Sequence, residues 1–106
     1  MFKVFTTKEF DDRFEKLDES NKNRVRKIMK QLKEQGDSVG KPLKVPYFRE
    51  KKFEEKRLYF LSYKGLMVIL AIAISDKKAQ QETIDKIISR LDYYREFVIK
   101  KLKEIN

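Results

Sequence analysis

The amino-acid sequence predicts an α+β domain with the element order strand, helix, helix, strand, strand, strand, helix. Three patterns predict this order. Two amphipathic helical stretches follow a short apolar start, an alternating stretch in the middle leads into a fully apolar run, and a long helical stripe ends the chain. Short turns between the middle strands favour antiparallel pairing. We therefore expect a twisted, antiparallel-rich sheet with an N-terminal helical hairpin and a long C-terminal helix.

The first third of the chain predicts one short strand and two helices. Residues 2–5 form the predicted strand, and Thr6 with Glu9 three residues later has the spacing of a helix-capping box. Ser20 is the predicted cap of the second helix, and Gly36 is its predicted C-terminal stop. The residues expected to face a core recur at helical spacing, at Phe10, Phe14 and Leu17 in the first helix and at Val25, Ile28, Met29 and Leu32 in the second. A tight turn between the helices would make an αα-hairpin.

The middle of the chain predicts two strands joined by a turn. Residues 40–42 indicate a loop, and residues 43–51 indicate a strand that Pro46 places at a sheet edge or a bulge. After a turn at residues 53–56, residues 57–63 alternate as a second strand. The alternation puts Leu58 and Phe60 on one face and Arg57, Tyr59 and Tyr63 on the other.

The last third predicts a buried strand and a long helix. Residues 68–74 are apolar at every position, so we expect a central strand that is covered on both faces. From about Ala79 a helix of about 26 residues would follow, about 39 Å long, with room for its end to project beyond the sheet. Its apolar stripe lies near heptad spacing, at Ile84, Ile87, Ile88, Leu91, Tyr94, Val98, Leu102 and Ile105.

Cysteine and histidine are both absent from the 106 residues. Disulfides, the usual zinc sites and any mechanism that uses histidine are therefore excluded, and we expect neither a metal nor a cofactor. The length suits one domain spanning residues 1–106. The longest apolar run, residues 66–74, is too short to cross a bilayer, and the N-terminus lacks the apolar stretch of a signal peptide. We expect a cytoplasmic protein with no membrane partner.

Lysine and arginine number 26 against 17 acidic residues, which gives a formal net charge of +9. This balance favours anionic partners such as nucleic acid or an acidic protein, and the alternative is the highly charged surface of a heat-adapted protein. Basic and aromatic side chains interleave over residues 47–60, and Lys77 and Lys78 follow the apolar strand. Side by side, these segments would form a cationic surface with rings for stacking, which suits a phosphate backbone and unpaired bases.

Several short motifs succeed one another in a recognisable order. They are Gly40-Lys41-Pro42-Leu43 ahead of Phe48-Arg49-Glu50-Lys51-Lys52, then Lys56-Arg57-Leu58-Tyr59-Phe60, then Lys77 and Lys78 with Gln81 and Thr83. In this order they resemble the RelE/ParE superfamily of toxin–antitoxin toxins, in its RelE/HigB-like branch, over the chain to about Leu91. The resemblance implies a RelE-like fold and a small RNase that cuts messenger RNA, usually on the ribosome, and inhibits translation until an antitoxin binds it. The ParE branch instead acts on DNA gyrase.

The candidate catalytic residues are Arg57, Lys52 and Lys78, and the candidate substrate-binding residues are Arg49, Lys51, Lys77 and Tyr59. Arg57 occupies the outward register of its strand, and a guanidinium binds phosphate bidentately, so we predict that it is the phosphate clamp. The resemblance implies the same role, since the family has an active-site arginine in its third strand. It also relates Lys52 and its neighbours to a basic pair on the adjacent strand, and Lys78 to an arginine after the last strand. Tyr59 shares the face of Arg57, where it would either stack on a base or pack within the sheet.

The general base stays open at this point. RNases of the family often supply a tyrosine or histidine near the last helix or the C-terminus, but Ile84 stands in the place of one such tyrosine. Tyr93 and Tyr94 come later in the helix, and we expect them to pack in its apolar stripe. The remaining choices are Glu50, which neighbouring cations would keep ionised, or a lysine whose cationic neighbours favour loss of its proton.

Three functions are compatible with the sequence. The first is an RNA-cleaving toxin. The second is a catalytically weak or inactive basic module that only binds an antitoxin, DNA within a repressor complex, or gyrase. The third is a stand-alone nucleic-acid-binding domain, for which the sequence lacks a Gly-rich RNA-binding signature and a helix-turn-helix recognition helix. The expected partners are an antitoxin with an acidic or amphipathic segment, messenger RNA and the ribosome. Both a homodimer and a toxin–antitoxin hetero-oligomer fit the sequence.

Overall fold

Five strands and four helices make up the computed structural model, which describes residues 1–105. The strands are β1 (Lys3–Thr6), β2 (Lys41–Pro42), β3 (Phe48–Phe53), β4 (Lys56–Tyr63) and β5 (Val68–Asp76). The helices are α1 (Lys8–Glu15), α2 (Glu19–Gln35), α3 (Gln80–Ile88) and α4 (Leu91–Glu104). Short 3-10 turns at Gly36–Ser38 and Lys64–Leu66 connect α2 to β2 and β4 to β5.

The strands form one sheet in the order β1-β5-β4-β3-β2. β1 pairs parallel with β5, whereas β2, β3, β4 and β5 pair antiparallel with their neighbours. The parallel pair is possible because the chain leaves β1 through the helical hairpin and returns to the sheet much later. The predicted α+β class with an antiparallel-rich sheet is confirmed.

Helices cover the sheet on both faces, and each face has its own core. Alternation along β4 shows the division, since Leu58 and Phe60 pack with α1 and α2 whereas Tyr59 and Leu61 pack with α3 and α4. The predicted double burial of β5 is confirmed, because Ile69, Ala71 and Ile74 belong to the first core and Val68, Leu70 and Ile72 to the second. Every residue that lies on the face of Tyr59 is therefore positioned by α3 and α4.

The caps of the first two helices differ from those predicted. Thr6 is still paired with Ala71 in the sheet, so Thr7 caps α1, where its Oγ1 accepts from the Phe10 amide at 3.1 Å. Asp18 caps α2 through the Asn21 amide at 2.8 Å. Ser20, the predicted cap, instead accepts a hydrogen bond from the Arg24 side chain. The cap lies one residue after the predicted residue in α1 and two residues before it in α2. In α1 the strand decides, because its hydrogen bonds fix where the helix can start.

The strand predicted at residues 43–51 starts later, and the predicted loop before it holds β2. Pro46 lies in a turn, where the Phe48 amide donates to the Val45 carbonyl at 3.1 Å and the Leu43 amide donates to the Phe48 carbonyl at 2.8 Å. A proline has no amide hydrogen for a sheet ladder, so it ends the pairing here. The short β2 pairs with β3 on the far side of this turn.

The predicted single C-terminal helix is wrong, because α3 ends at Ile88 and α4 begins at Leu91. The longest dimension of the molecule is 36 Å, so one straight helix of the predicted length would have run past the core. The break lets two shorter helices bury their apolar sides against one twisted face, through Ile84 and Ile87 in α3 and Tyr94 and Val98 in α4. Across residues 1–105, the helices are all too short or too polar to cross a membrane.

Gly40 allows β2 to lie against β3. Its φ is +70°, and a Cβ at this position would stand 2.2 Å from the Glu50 carbonyl oxygen. No side chain other than hydrogen fits that gap without a backbone shift. Gly65, in contrast, has no heavy atom within 4 Å of the corresponding position.

We expect Gly40→Ala to lower the free energy of unfolding by about 1–3 kcal/mol, because the new methyl group meets backbone and the φ angle becomes strained. Gly65→Ala is the matched control and should change it by about 0.5 kcal/mol or less. Urea unfolding followed by far-UV circular dichroism measures both. Equal stability of the two variants would contradict the close approach of β2 to β3.

Candidate active site

Two of the predicted site residues, Lys52 and Arg57, lie next to each other near the tip of the β3–β4 hairpin. Lys52 on β3 lies directly opposite Arg57 on β4, and Arg57 lies opposite Ser75 on β5. Residues directly opposite each other in a sheet point to the same face. The side chains of Lys52, Arg57 and Ser75 therefore share the face that α3 and α4 cover, at the end of the sheet where the chain passes from β5 to α3.

The loop after β5 is tied to the same hairpin tip. The Lys77 amide donates to the Glu55 carbonyl at 3.2 Å, and the Asp76 carboxylate accepts from the Ala79 amide at 2.9 Å, one residue before α3. Lys77 and Lys78 are both exposed in this loop. The loop that carries them therefore lies beside the ends of β3 and β4, and the segments that carry Lys52, Arg57 and Lys78 are neighbours in the fold.

Arg57 is buried, with only 8% of the residue exposed, so the prediction of an outward-facing arginine is wrong. Its Nε lies 3.2 Å from the Oε1 of Glu50, which is 2% exposed. Nε and NH1 are both buried and have no hydrogen-bond partner among the described residues, so the contact with Glu50 is an ion pair without hydrogen-bond alignment. The guanidinium is therefore neutralised by Glu50 while two of its three nitrogens keep free donors.

Gln80, the first residue of α3, completes this buried group. Its Nε2 donates to both carboxylate oxygens of Glu50, at 3.2 and 3.3 Å. Glu50 is thus engaged by Gln80 on one side and by Arg57 on the other. The sequence did not single out Gln80, since a glutamine at the start of a helix carries no recognisable motif. The only available signal was its position two residues after the Lys77-Lys78 pair.

Tyr59 is fully buried, at 0% exposure, and its ring is not available for stacking on a base. Its hydroxyl lies 2.8 Å from the Ser75 Oγ, and Ser75 in turn donates to the Asp76 carbonyl at 3.0 Å. Since Ser75 has one hydroxyl hydrogen, Tyr59 is the donor in the first bond. Burial raises the pKa of Tyr59. Of the two roles predicted for this residue, the packing role is the one that the structure allows.

Arg49 and Lys51 lie on the other face of the sheet, so the predicted basic surface is divided. They share the face of Phe53, which packs in the core beneath α1 and α2. Arg49 donates from Nε to the Val39 carbonyl at 3.0 Å and from NH2 to the Gly40 carbonyl at 2.9 Å. Arg49 therefore holds the connection between α2 and β2, away from Arg57.

The tyrosines of the last helix do not supply an exposed base next to Arg57. Tyr94 is 3% exposed in the α3–α4 core, and burial raises its pKa, so the predicted packing role is confirmed. Tyr93 is 54% exposed, contrary to that prediction, and the Arg90 guanidinium lies 4.7 Å from its ring centroid. Within residues 1–105 there is no group of three or more acidic, histidine or cysteine side chains that could hold a metal ion.

The fold is similar to that of E. coli RelE. The isolated E. coli RelE toxin superposes with a TM-score of 0.62 at 13% identity, over 82% of this chain and 99% of RelE. RelE in the intact E. coli RelBE toxin–antitoxin complex gives 0.63 at 14% identity, over 72% of this chain and 96% of RelE. A mutant of E. coli RelE bound to a RelBc antitoxin peptide gives 0.63 at 14% identity, over 77% and 93%.

Sequence comparison adds nothing to this likeness, since no protein-family model and no curated protein matches the chain. At such low identity the superpositions establish the RelE-like fold, and this fold was the one predicted from the sequence motifs.

We expect Arg57→Ala to lower the free energy of unfolding by about 3–5 kcal/mol, because it leaves the Glu50 carboxylate buried without a counter-charge. The double variant Glu50→Gln with Arg57→Gln should regain most of the loss. Arg26→Ala is the control, since its ion pair with Glu19 is exposed and worth about 1 kcal/mol or less. Guanidinium unfolding measures all three. An Arg57→Ala protein as stable as the control would show that the pair is not buried.

We expect Tyr59→Phe to lower the free energy of unfolding by about 0.5–1.5 kcal/mol, the net value of one hydrogen bond. A raised pKa in the folded state means that stability is present below the usual tyrosine pKa, near 10, and is lost as the pH rises above it. The pH-dependent loss between pH 9 and 11 should therefore be smaller in Tyr59→Phe than in the parent protein. Urea unfolding at both pH values checks this, and an equal loss in the two proteins would contradict the burial of the Tyr59 hydroxyl.

Proposed function

We propose that this chain is the toxin of a toxin–antitoxin pair and a metal-independent endoribonuclease that cleaves messenger RNA at the ribosome, in the cytoplasm, and so inhibits translation. The observation that carries the proposal is a buried Arg57–Glu50 ion pair flanked by exposed lysines of β3 and the β5–α3 loop, on a RelE-like fold. Arg57, Lys52 and Lys78 are the proposed catalytic residues, and Lys77 is the proposed substrate-binding neighbour.

The proposed chemistry is attack of a ribose 2′-hydroxyl on the adjacent phosphate, with release of the 5′-oxygen of the next nucleotide. Negative charge grows on the phosphate oxygens as the pentavalent transition state forms. The Arg57 guanidinium would stabilise that charge, and a charged donor acts more strongly in a buried, low-dielectric place than in water. The buried ion pair with Glu50 keeps the guanidinium in place before substrate arrives.

Proton transfer is assigned to the lysines. Glu50, one of the two choices left open by the sequence, is 2% exposed and is engaged by Gln80 and Arg57, so a 2′-hydroxyl does not reach it in this conformation. Lys52 is exposed and lies directly opposite Arg57. Lys52 is the proposed base, and Lys78, on the loop at the other side of Arg57, is the proposed acid for the leaving oxygen.

The proposed partner is an antitoxin that covers this cationic face. Support comes from the fold neighbours, among which E. coli RelE forms a complex with its antitoxin. The formal charge of +9 favours an acidic or amphipathic antitoxin segment. A short neighbouring reading frame that encodes such a protein, and that relieves growth arrest when co-expressed, would support this part of the proposal.

The second candidate function is a binding module of the same fold with weak or no catalysis. It is favoured by the pairing of Arg57 with Glu50, which lowers the net charge of the site, and by the lack of histidine. Such a protein would bind an antitoxin, DNA in a repressor complex, or gyrase, without cutting RNA.

We expect Lys52→Ala with Lys78→Ala to lower RNA cleavage on the order of 10²-fold or more, since two cations leave the transition state. Arg57→Lys should lose a similar factor, because it keeps a charge beside Glu50 but loses the planar fork of donors. The matched control is Lys27→Ala with Lys100→Ala, two exposed lysines of α2 and α4, which changes the net charge equally. The measurements are growth arrest on expression and mapping of RNA ends.

Full activity of both site variants would exclude the proposed site. Binding of the antitoxin with no RNA cleavage by the parent protein, on ribosomes or on free RNA, would instead favour the binding module.

A further inference from the structure

A buried chain of three side chains connects α3 to the proposed phosphate clamp. Gln80 begins α3, Glu50 lies in the middle of β3, and Arg57 lies near the start of β4. The Gln80 amide contacts both oxygens of Glu50, at 3.2 and 3.3 Å, and one of these oxygens lies 3.2 Å from the Arg57 Nε. The three residues are distant in sequence and come together only in the folded sheet.

The chemical type of each member decides what the chain does. A carboxylate that is 2% exposed needs both a counter-charge and hydrogen bonds, and Arg57 supplies the first while Gln80 supplies the second. Because the carboxamide of Gln80 is neutral, it fills the carboxylate's acceptor sites without competing with Arg57 for the ion pair. Nε and NH1 of Arg57 accordingly make no hydrogen bond to the described residues.

We propose that Gln80 is a positioning residue that fixes Arg57 through Glu50, and that Glu50 acts as the holder of the arginine rather than as the general base. The inference rests on the proposed function for its substrate, an RNA phosphate, but the positioning itself is a property of the free protein. The first residue of α3 thereby sets how the guanidinium is oriented on the face of β3 and β4 that α3 and α4 cover.

Gln80→Met tests the proposal, since methionine keeps the length of the side chain and removes both donors. Gln81→Met is the matched control, because Gln81 is exposed and bonds only Asp85 of its own helix. The direct readout is solvent exchange of the Arg57 Nε–H, followed by ¹⁵N NMR and assigned with Arg57→Lys. We expect exchange at least about tenfold faster in Gln80→Met, because Glu50 loses its hydrogen bonds and releases the guanidinium, and no change in Gln81→Met. An unchanged backbone amide spectrum identifies an intact fold.

The second readout separates positioning from general structure. With a single-stranded RNA substrate we expect Gln80→Met to lower kcat about tenfold and to leave KM within about twofold, since a misplaced clamp affects the transition state more than substrate binding. Gln80→Glu should lower kcat further, because two carboxylates then meet at Glu50. Gln80→Asn should recover less than half of the lost rate, since its amide is one methylene short of the carboxylate.

The outcomes separate the two proposals. Unchanged Nε–H exchange in Gln80→Met overturns the positioning role, and, if the parent protein cleaves RNA, so does a changed exchange with kcat equal to that of Gln81→Met. Faster exchange in Gln80→Met together with an inactive parent protein supports the positioning role and overturns the proposed RNase function. If Gln80→Met does not fold, the double variant Gln80→Glu with Glu50→Gln replaces it, because it again pairs a carboxylate with a neutral carboxamide. The positioning role then requires that Arg57 Nε–H exchange in this folded variant differ from that in the parent protein.

Discussion

The buried contact between Glu50 and Arg57 is the interaction on which the rest of the proposed site depends. A carboxylate and a guanidinium are both costly to remove from water, and the two can be buried together because each neutralises the other. The two residues are not directly opposite each other, since Glu50 lies opposite Tyr59 and Arg57, two residues away, lies opposite Lys52. The contact therefore runs diagonally across β3 and β4, and any slip of the hairpin would break it.

Alternation in the sheet decides which cations belong to the site. Along β3, Glu50 and Lys52 face α3 and α4, whereas Arg49 and Lys51 face α1 and α2. Arg49 uses its donors on the carbonyls before β2 and stabilises the connection that Gly40 makes possible. A run of basic residues that looks continuous in the sequence thus becomes one group at the site and one group that holds the edge of the sheet.

The incomplete pairing of Arg57 links the stability of the fold to its proposed chemistry. A fully hydrogen-bonded arginine would be a structural residue with nothing left to bind an anion. Here the ion pair stabilises the charge, while Nε and NH1 are buried and make no hydrogen bond to the described residues. Unpaired buried donors cost free energy, so an anion that reaches them recovers what the free protein lacks. Functional sites commonly carry this kind of unfavourable arrangement, and the surrounding sheet and helices compensate for it.

The fold was predicted more completely than the site, because periodicity is a local property of the sequence and contact between distant residues is not. The apolar run of β5, the alternation of β4 and the helical stripes of α1 and α2 each predicted which of their own residues are buried. The break between α3 and α4 was not predicted, since Ser89 and Arg90 carry no strong helix-ending signal and the limit was the size of the sheet beneath them. The caps are Thr7 and Asp18 instead of the predicted Thr6 and Ser20. At α1 the pairing of Thr6 with β5 decided where the helix starts.

By itself, the sequence determined the α+β class, the order of elements through β5 except for the short β2, the lack of histidine and cysteine chemistry, and the presence of arginine and lysine in three segments that the fold brings together. Only the tertiary structure decided that Arg57 is buried, that Glu50 and Gln80 hold it, that Tyr59 is packed, and that Arg49 and Lys51 lie on the opposite face. The physical reason is that exposure and partnership depend on which layers cover a strand and on the register between strands. Neither quantity is contained in the pattern of one strand alone.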